Sequence, residues 1–368
     1  MRSLTFLRPG RLEWRETAAP RLQGPGEALV RPISVARCDL DRAVLYGEAP
    51  FRGRFLHFLR NHLPPAVGQR GLFRNAPFKG PYAFGHEFVG IVTEVGDEVH
   101  AVQPGAVVGC SFQICCGTCP FCREGLTGNC TGVPARSMYG FGDLGGDWGG
   151  ALSDSVRVPF ADFMLVPLPD GLDPLALGSL PDNVVDGWRT VGPWLLKRPG
   201  ASVLVMGGGA LSVGLYAAGI AVAMGASAVT YVDVDPGRRE IARRLGVGDV
   251  LAEPPSRVRP DYDVTVEASA SEPGLSVAVR STRPGGVCTS VGIYYQATTR
   301  MPLLAMYGTG ITFVHGRVNS RTCMHDVLPI IQSGRFQPAI VTGLTAEWDD
   351  AAEALLDPAA KVIVTRSG

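Results

Sequence analysis

Apolar residues along this chain fall into two textures. In the first half, short β-branched runs such as Ala28 to Val35, Val89 to Val95 and Ser155 to Val158 are separated by turn residues at close intervals. This predicts an irregular β-rich domain. From about Asp182 the texture changes: apolar strands at Ser202 to Met206, Ala228 to Val232, Val264 to Glu267 and Val287 to Val291 alternate with helical stretches at Val213 to Met224 and Arg238 to Leu245. Alternation of this kind predicts parallel βαβ units, an α/β fold with helices on both sheet faces. After about Gly310 strand texture returns, with one helical stretch at Met324 to Ser333 and a last strand at Lys361 to Thr365, so the tail is expected to rejoin the first domain.

A length of 368 residues agrees with two domains. Lys plus Arg and Asp plus Glu are both 34, which gives no electrostatic reason to expect nucleic acid or a membrane surface as partner. A small-molecule ligand fits better. No uninterrupted apolar run reaches the roughly 18 residues of a membrane span, and the N-terminus mixes Arg2 and Arg8 with short apolar pieces. A soluble, unprocessed, cytoplasmic protein is expected. Of nine cysteines, five crowd between Cys115 and Cys130, a poor disulfide framework and a good metal cluster, which points to a reducing compartment.

One segment stands apart. Between Phe51 and Phe84 the chain carries Arg52, Arg54, Arg60, Arg70, Arg74 and Lys79 with no acidic residue, while Phe51, Phe55, Phe58, Leu59 and Leu63 recur at helical spacing. A basic amphipathic helix followed by a loop is expected. It reads either as an oligomer contact or surface insertion, or as a lid whose cations favour an acidic substrate.

Ser202 to Met206 runs directly into Gly207, Gly208 and Gly209, and the next helix opens near Gly214. Glycine-rich turns between strand and helix let the backbone approach a pyrophosphate, whose charge is favoured by the free N–H groups of the helix start. Asp233 ends the following strand 19 residues beyond Gly214, where a carboxylate accepts bonds from ribose hydroxyls and disfavours a 2′-phosphate. NAD is therefore expected over NADP. Counted from Gly207 and Gly209, the third glycine position holds Ser212, which reads as a two-residue loop insertion. Arg238 and Arg239 can soften the cofactor preference, flank the adenine or form helix surface. Val291, Gly292 and Ile293 end another strand where backbone groups can meet the nicotinamide amide.

Cys116, Cys119, Cys122 and Cys130 form C-x2-C-x2-C-x7-C, which can close around one tetrahedral zinc with no open position, a structural site. Cys38, with His86 and Glu87, suggests a second site whose fourth position is open, as catalytic zinc requires. From spacing alone, a cysteine and a histidine this far apart are as readily core residues.

With Cys38-Asp39-Leu40-Asp41, Gly85-His86-Glu87 leading to Gly90 and Val95-Gly96-Asp97, the four-cysteine lobe, Gly207 to Gly214 with Asp233, and Arg283-Pro284-Gly285-Gly286 before Val291-Gly292, the sequence resembles the zinc-containing medium-chain dehydrogenase/reductase family over nearly its whole length. The resemblance implies a GroES-like β-rich catalytic domain with the structural zinc lobe at 1–181, an α/β Rossmann domain at 182–310, and a return to the catalytic domain at 311–368. It implies two zinc ions and an active site in the cleft. Cys38 and His86 then look like catalytic zinc ligands, and Glu87 like an acid that can enter or leave the metal shell. The sequence holds no cysteine between Cys130 and Cys288, and Leu180-Pro181-Asp182 matches the subgroup with an acidic third ligand, so Asp182 is the choice. A helix N-cap is its alternative role, and Asp186 is the reserve ligand. The Ser or Thr and the His of the usual proton relay are replaced by Leu40 and Ala43, leaving Asp39, His57 and His62 as candidates for proton export.

The leading expectation is a zinc-dependent oxidoreductase that transfers a hydride between NAD(H) and an alcohol or carbonyl substrate, assembled as a homo-oligomer, a dimer or a tetramer. The altered relay keeps a conjugate (C=C) or imine reductase open, and fold alone also leaves a non-catalytic nucleotide-binding protein.

Overall fold

The computed structural model describes residues 1–47, 78–254, 258–294 and 298–366. Most of the basic segment, including Phe51 to Leu63 with His57 and His62, lies outside them.

A six-stranded parallel sheet is built from Val203–Met206, Val229–Val232, Asp249–Leu251, Tyr262–Glu267, Thr282–Ser290 and Thr312–His315. Numbering these one to six along the chain, their order across the sheet is 3-2-1-4-5-6. That is the doubly wound Rossmann arrangement, in which the order reverses between the first and fourth strands and leaves a crevice at their carboxyl ends. Val203–Met206 lies at this switch point, and its four residues are all buried, as a central strand covered on both faces must be. Thr312–His315, grouped from the sequence with the returning tail, pairs in parallel with Val287–Ser290 and is the sixth strand of this sheet.

The helix Leu211–Ala223 follows the first strand. Ten of its residues, Ser212 to Ala221, are buried, which matches its apolar character all round. It packs against the helix Val185–Lys197, where Gly187 permits the approach: a Cβ there would lie 2.8 Å from Tyr216 Cβ.

The β-rich part holds a seven-stranded mixed sheet. Leu344–Glu347, Val362–Thr365, Ala28–Ala36, Glu87–Val95, Val107–Cys110 and Leu165–Pro167 follow one another across it, and Val156–Val158 pairs with the start of Ala28–Ala36. The tail strand Val362–Thr365 pairs antiparallel with Ser34 to Ala36, which returns the C-terminus to the first part of the chain. A smaller sheet joins Arg11–Glu16, Arg2–Arg8 and Tyr82–Ala83. One apolar cluster crosses between the halves, joining Ile33, Val89 and Phe112 to Leu180, Val184, Val205 and Tyr216. The site described next lies along this seam.

Candidate catalytic metal site and nucleotide cradle

Cys116, Cys119, Cys122 and Cys130 converge in the lobe around the short helix Pro120–Arg123, with their sulfur atoms within 4.8 Å of one another. All four are free thiols. Gly132 lets the chain pass this close: a Cβ there would lie 2.6 Å from Cys116 Sγ. The backbone N–H of Thr131, with further donors, brings the Cys119 thiol down to about 5, which favours the thiolate a metal needs. Burial pushes Cys130 up instead.

Cys38, His86 and Asp182 form the second convergent set, each offering one ligand atom within 4.8 Å of the others, and all three are buried. Local structure explains each position. Cys38 is the N-cap of the helix Asp39–Tyr46, its Sγ accepting from Asp41 N at 3.2 Å in a capping box. His86 precedes the strand Glu87–Val95, and its ring packs between Phe112 and Phe141, with centroids 5.1 and 4.7 Å away. Asp182 lies in a π-helical turn, Leu180–Val184, that runs straight into Val185–Lys197. The Oγ of Ser320 donates to the Pro181 carbonyl and fixes this turn. Asp182 is thus no helix N-cap; its Oδ2 is 3.2 Å from His86 Nε2.

On its other side the His86 ring faces Asp41, with Nδ1 3.5 Å from Oδ1, and both of these buried atoms lack a hydrogen-bond partner. Burial raises the Cys38 thiol well above its ordinary value, and Asp41, Asp182 and Glu87 raise it further. Burial, helped by Asp186, lifts Asp182 to about 7. A thiol, an imidazole and carboxylates held out of water with so little positive charge fit a divalent cation, which would supply the missing charge.

Glu87, expected to share the metal shell, stands outside the three. Its Oε1 accepts from Asn183 N at 2.8 Å and its Oε2 lies 3.0 Å from Lys361 Nζ, with both side chains fully buried. Burial still lifts Glu87 to about 7 against the opposing charge of Lys361. Lys361 also donates to Asn183 Oδ1 at 2.6 Å and to the Arg37 carbonyl at 3.1 Å. The sequence reading missed Lys361; its only signal was a lone cation opening the apolar strand Val362–Thr365. Asp186, the reserve ligand, is paired with Arg189. Of the proton-export candidates, Asp39 is bonded to Ser212, and His57 and His62 lie outside the described residues; Leu40, which stands in the usual relay position, packs against the apolar core.

The candidate cradle for a nucleotide lies at the end of the first Rossmann strand. A Cβ on Gly207 would come within 2.6 Å of Asp233 Oδ2 and Tyr231 Oη, and one on Gly208 within 2.9 Å of Ser269 Cα, so the loop tolerates only glycine at this approach. A Cβ on Gly209 would meet Ala270 Cβ at 2.9 Å, and Gly214 faces Ala268 where the helix meets the sheet. Asp233 directly follows the strand Val229–Val232, its side chain buried beneath Arg238, whose Nε and Nη2 donate to the two carboxylate oxygens at 2.7 Å each. Tyr231 Oη adds a bond at 2.8 Å. Burial would raise the Asp233 carboxyl, but Arg238 and the other donors hold it below its usual range. Arg239 donates to the carbonyls of Asp233 and Val234. Val291 is buried and its N–H donates to the Glu267 carbonyl at 3.0 Å, whereas Ile293 is half exposed.

The chain matches two family models: an alcohol dehydrogenase GroES-like domain over residues 24–170 and a zinc-binding dehydrogenase domain over residues 212–333. It is 27% identical over 358 residues to the "Probable zinc-binding alcohol dehydrogenase" of Mycobacterium tuberculosis, covering 96% of this chain and 84% of the relative. It is 30% identical over 317 residues to the glutathione-independent formaldehyde dehydrogenase of Bacillus subtilis, covering 74% of this chain and 76% of the relative. Among solved structures, the alcohol dehydrogenase of Thermus sp. ATN1 superposes with a TM-score of 0.82 at 31% identity, covering 100% of each chain. No described helix is long and apolar enough to cross a membrane. From its two matched domains and its end-to-end fold, this chain belongs to the zinc-containing, alcohol dehydrogenase-like branch of the medium-chain dehydrogenase/reductase family.

Proposed function

We propose that the protein is an NAD-dependent oxidoreductase that interconverts an alcohol and its carbonyl at a zinc ion held by Cys38, His86 and Asp182. The observation that carries this reading is the convergence of those three side chains, in a buried and charge-deficient setting, beside the glycine loop. When bound, zinc supplies Lewis-acid polarisation of the substrate oxygen and the nicotinamide cofactor supplies the hydride chemistry.

The chain's own residues do the rest. Asp41 faces Nδ1 of His86, which turns Nε2 toward Asp182 and sets the ring for ligation. Phe112 and Phe141 wall the ring and exclude water, which strengthens every charge interaction at the centre. Lys361 holds Glu87 out of the ligand set, as a charged second layer. Cys116, Cys119, Cys122 and Cys130 hold a second, structural zinc.

NAD is the proposed cofactor, seated with its pyrophosphate at Gly207 to Gly214 and its adenosine ribose against Asp233. Arg238 covers Asp233 and donates to both carboxylate oxygens, so a ribose bound to this carboxylate would open the pair. A homo-oligomer is supported by the open edge of the parallel sheet. Beside the edge strand Thr312–His315, the helix Leu303–Thr309 exposes Leu303 at 66%, Leu304 at 84% and Tyr307 at 90%, an apolar patch that a second subunit would cover.

The reading is tested by turnover with primary and secondary alcohols and matched aldehydes, using NAD(H) and NADP(H) in parallel. NAD-linked oxidation that chelators abolish and zinc restores is the expected result. Chelator-insensitive turnover, or reduction of C=C or C=N bonds alone, would contradict it.

A further inference from the structure

The helix that follows the glycine loop begins without a cap of its own. Ala210 is its N-cap and provides no side-chain hydrogen bond. The first N–H groups of a helix have no intrahelical partner and carry the positive end of the helix dipole, so they seek an anion. Here that anion comes from the other half of the molecule. Asp39, beside Cys38, extends its carboxylate across the cleft: Oδ2 accepts from Ser212 N at 3.0 Å and Val213 N at 3.4 Å, and Oδ1 accepts from Ser212 Oγ at 2.9 Å.

We propose that Asp39 is an interdomain latch, occupying the anion seat of the nucleotide-binding helix until the pyrophosphate of the dinucleotide displaces it. The inference rests on reading the Gly207–Gly209 loop as the dinucleotide seat. Two anions cannot share the same pair of N–H groups, so binding must break the Asp39 contacts before it makes its own. The latch costs cofactor affinity and ties the two halves together through Asp39 and Ser212. Ser212 Oγ also lies 3.0 Å from Asn183 Oδ1, and one hydroxyl proton serves only one of these acceptors. Release of Asp39 therefore turns that proton to Asn183, which Lys361 joins to Glu87 beside the metal ligands.

The test compares zinc-loaded wild type with Asp39→Asn and Asp39→Ser. Calorimetric titrations use NADH, ADP-ribose and adenosine, and thermal unfolding is followed without ligand. Both variants should bind NADH and ADP-ribose roughly tenfold more tightly. Adenosine, which lacks the pyrophosphate, should bind unchanged, and the ligand-free Tm should fall. Wild type that binds NADH, with variants no tighter for ADP-ribose or equally tighter for adenosine, would overturn the latch alone. Failure of NADH and ADP-ribose to bind any of the three proteins would remove the dinucleotide reading and the latch with it.

Discussion

Lys361 Nζ lies 3.0 Å from Glu87 Oε2, and neither side chain reaches solvent. Two charges taken out of water are tolerated because each is the other's counter-ion and Asn183 bonds to both. Removing one partner of such a pair leaves the other uncompensated, at a cost of about 3–5 kcal/mol. Above about pH 7, where Glu87 is ionised, Lys361→Met should therefore lower unfolding stability by about that amount, while Glu87→Gln added to it should recover a large part. Chemical denaturation of the single and double variants measures this. A single variant as stable as wild type would mean that the pair is not buried as described.

Asp182 and Glu87 both have carboxyl groups raised to about 7, chiefly by burial. In the unfolded chain they titrate near 4, so between about pH 4 and pH 7 the metal-free folded state holds protons that the unfolded state has released. The stability these two protons contribute to metal-free protein is then fully present below about pH 4 and is lost as pH rises through about 7. Zinc binds the deprotonated ligands, so its stabilising effect should grow with pH. Thermal unfolding with and without zinc should show a larger zinc-induced Tm increase at pH 8 than at pH 5.5, and Asp182→Asn should flatten the difference. An equal increase at both pH values in wild type would contradict the assignment.

The four-cysteine lobe behaves differently. Cys119→Ser should remove one zinc and lower Tm, because a closed site contributes folding free energy directly. Metal analysis alongside thermal unfolding checks both effects. Full zinc content with unchanged Tm would sink the structural reading of the lobe.

Asp233→Ser removes the carboxylate that Arg238 now covers and leaves the guanidinium facing the ribose position. The ratio of kcat/KM for NADP to that for NAD should rise, roughly tenfold or more, as Arg238 becomes available to a 2′-phosphate. A ratio that stays the same would place the ribose elsewhere.

The legible features were the local ones. The four cysteines of the lobe span 15 residues of chain, and Val203 to Asp233 is one strand, loop, helix and strand, so periodicity and spacing reveal both. The proposed catalytic set is different, because His86 and Asp182 are 96 residues apart and only the family resemblance joined them. Lys361 was missed for the same reason: its partner Glu87 is 274 residues away. Thr312–His315 was grouped with the tail because an edge strand with no fully buried residue carries a weak hydrophobic pattern. The contact of Asp39 with Ser212 joins two halves whose relative placement no local pattern encodes.

Cys38, His86 and Asp182 are proposed to hold a catalytic zinc distinct from the one in the cysteine lobe. Zinc content and alcohol turnover of Cys38→Ala, measured against wild type on the same preparations, test it most directly. The expected result is two zinc ions per chain in wild type, one for each convergent ligand set, and one in the variant, with turnover lost and the fold retained by circular dichroism. A variant that keeps both zinc ions, or loses one and still turns over at the wild-type rate, would contradict the account.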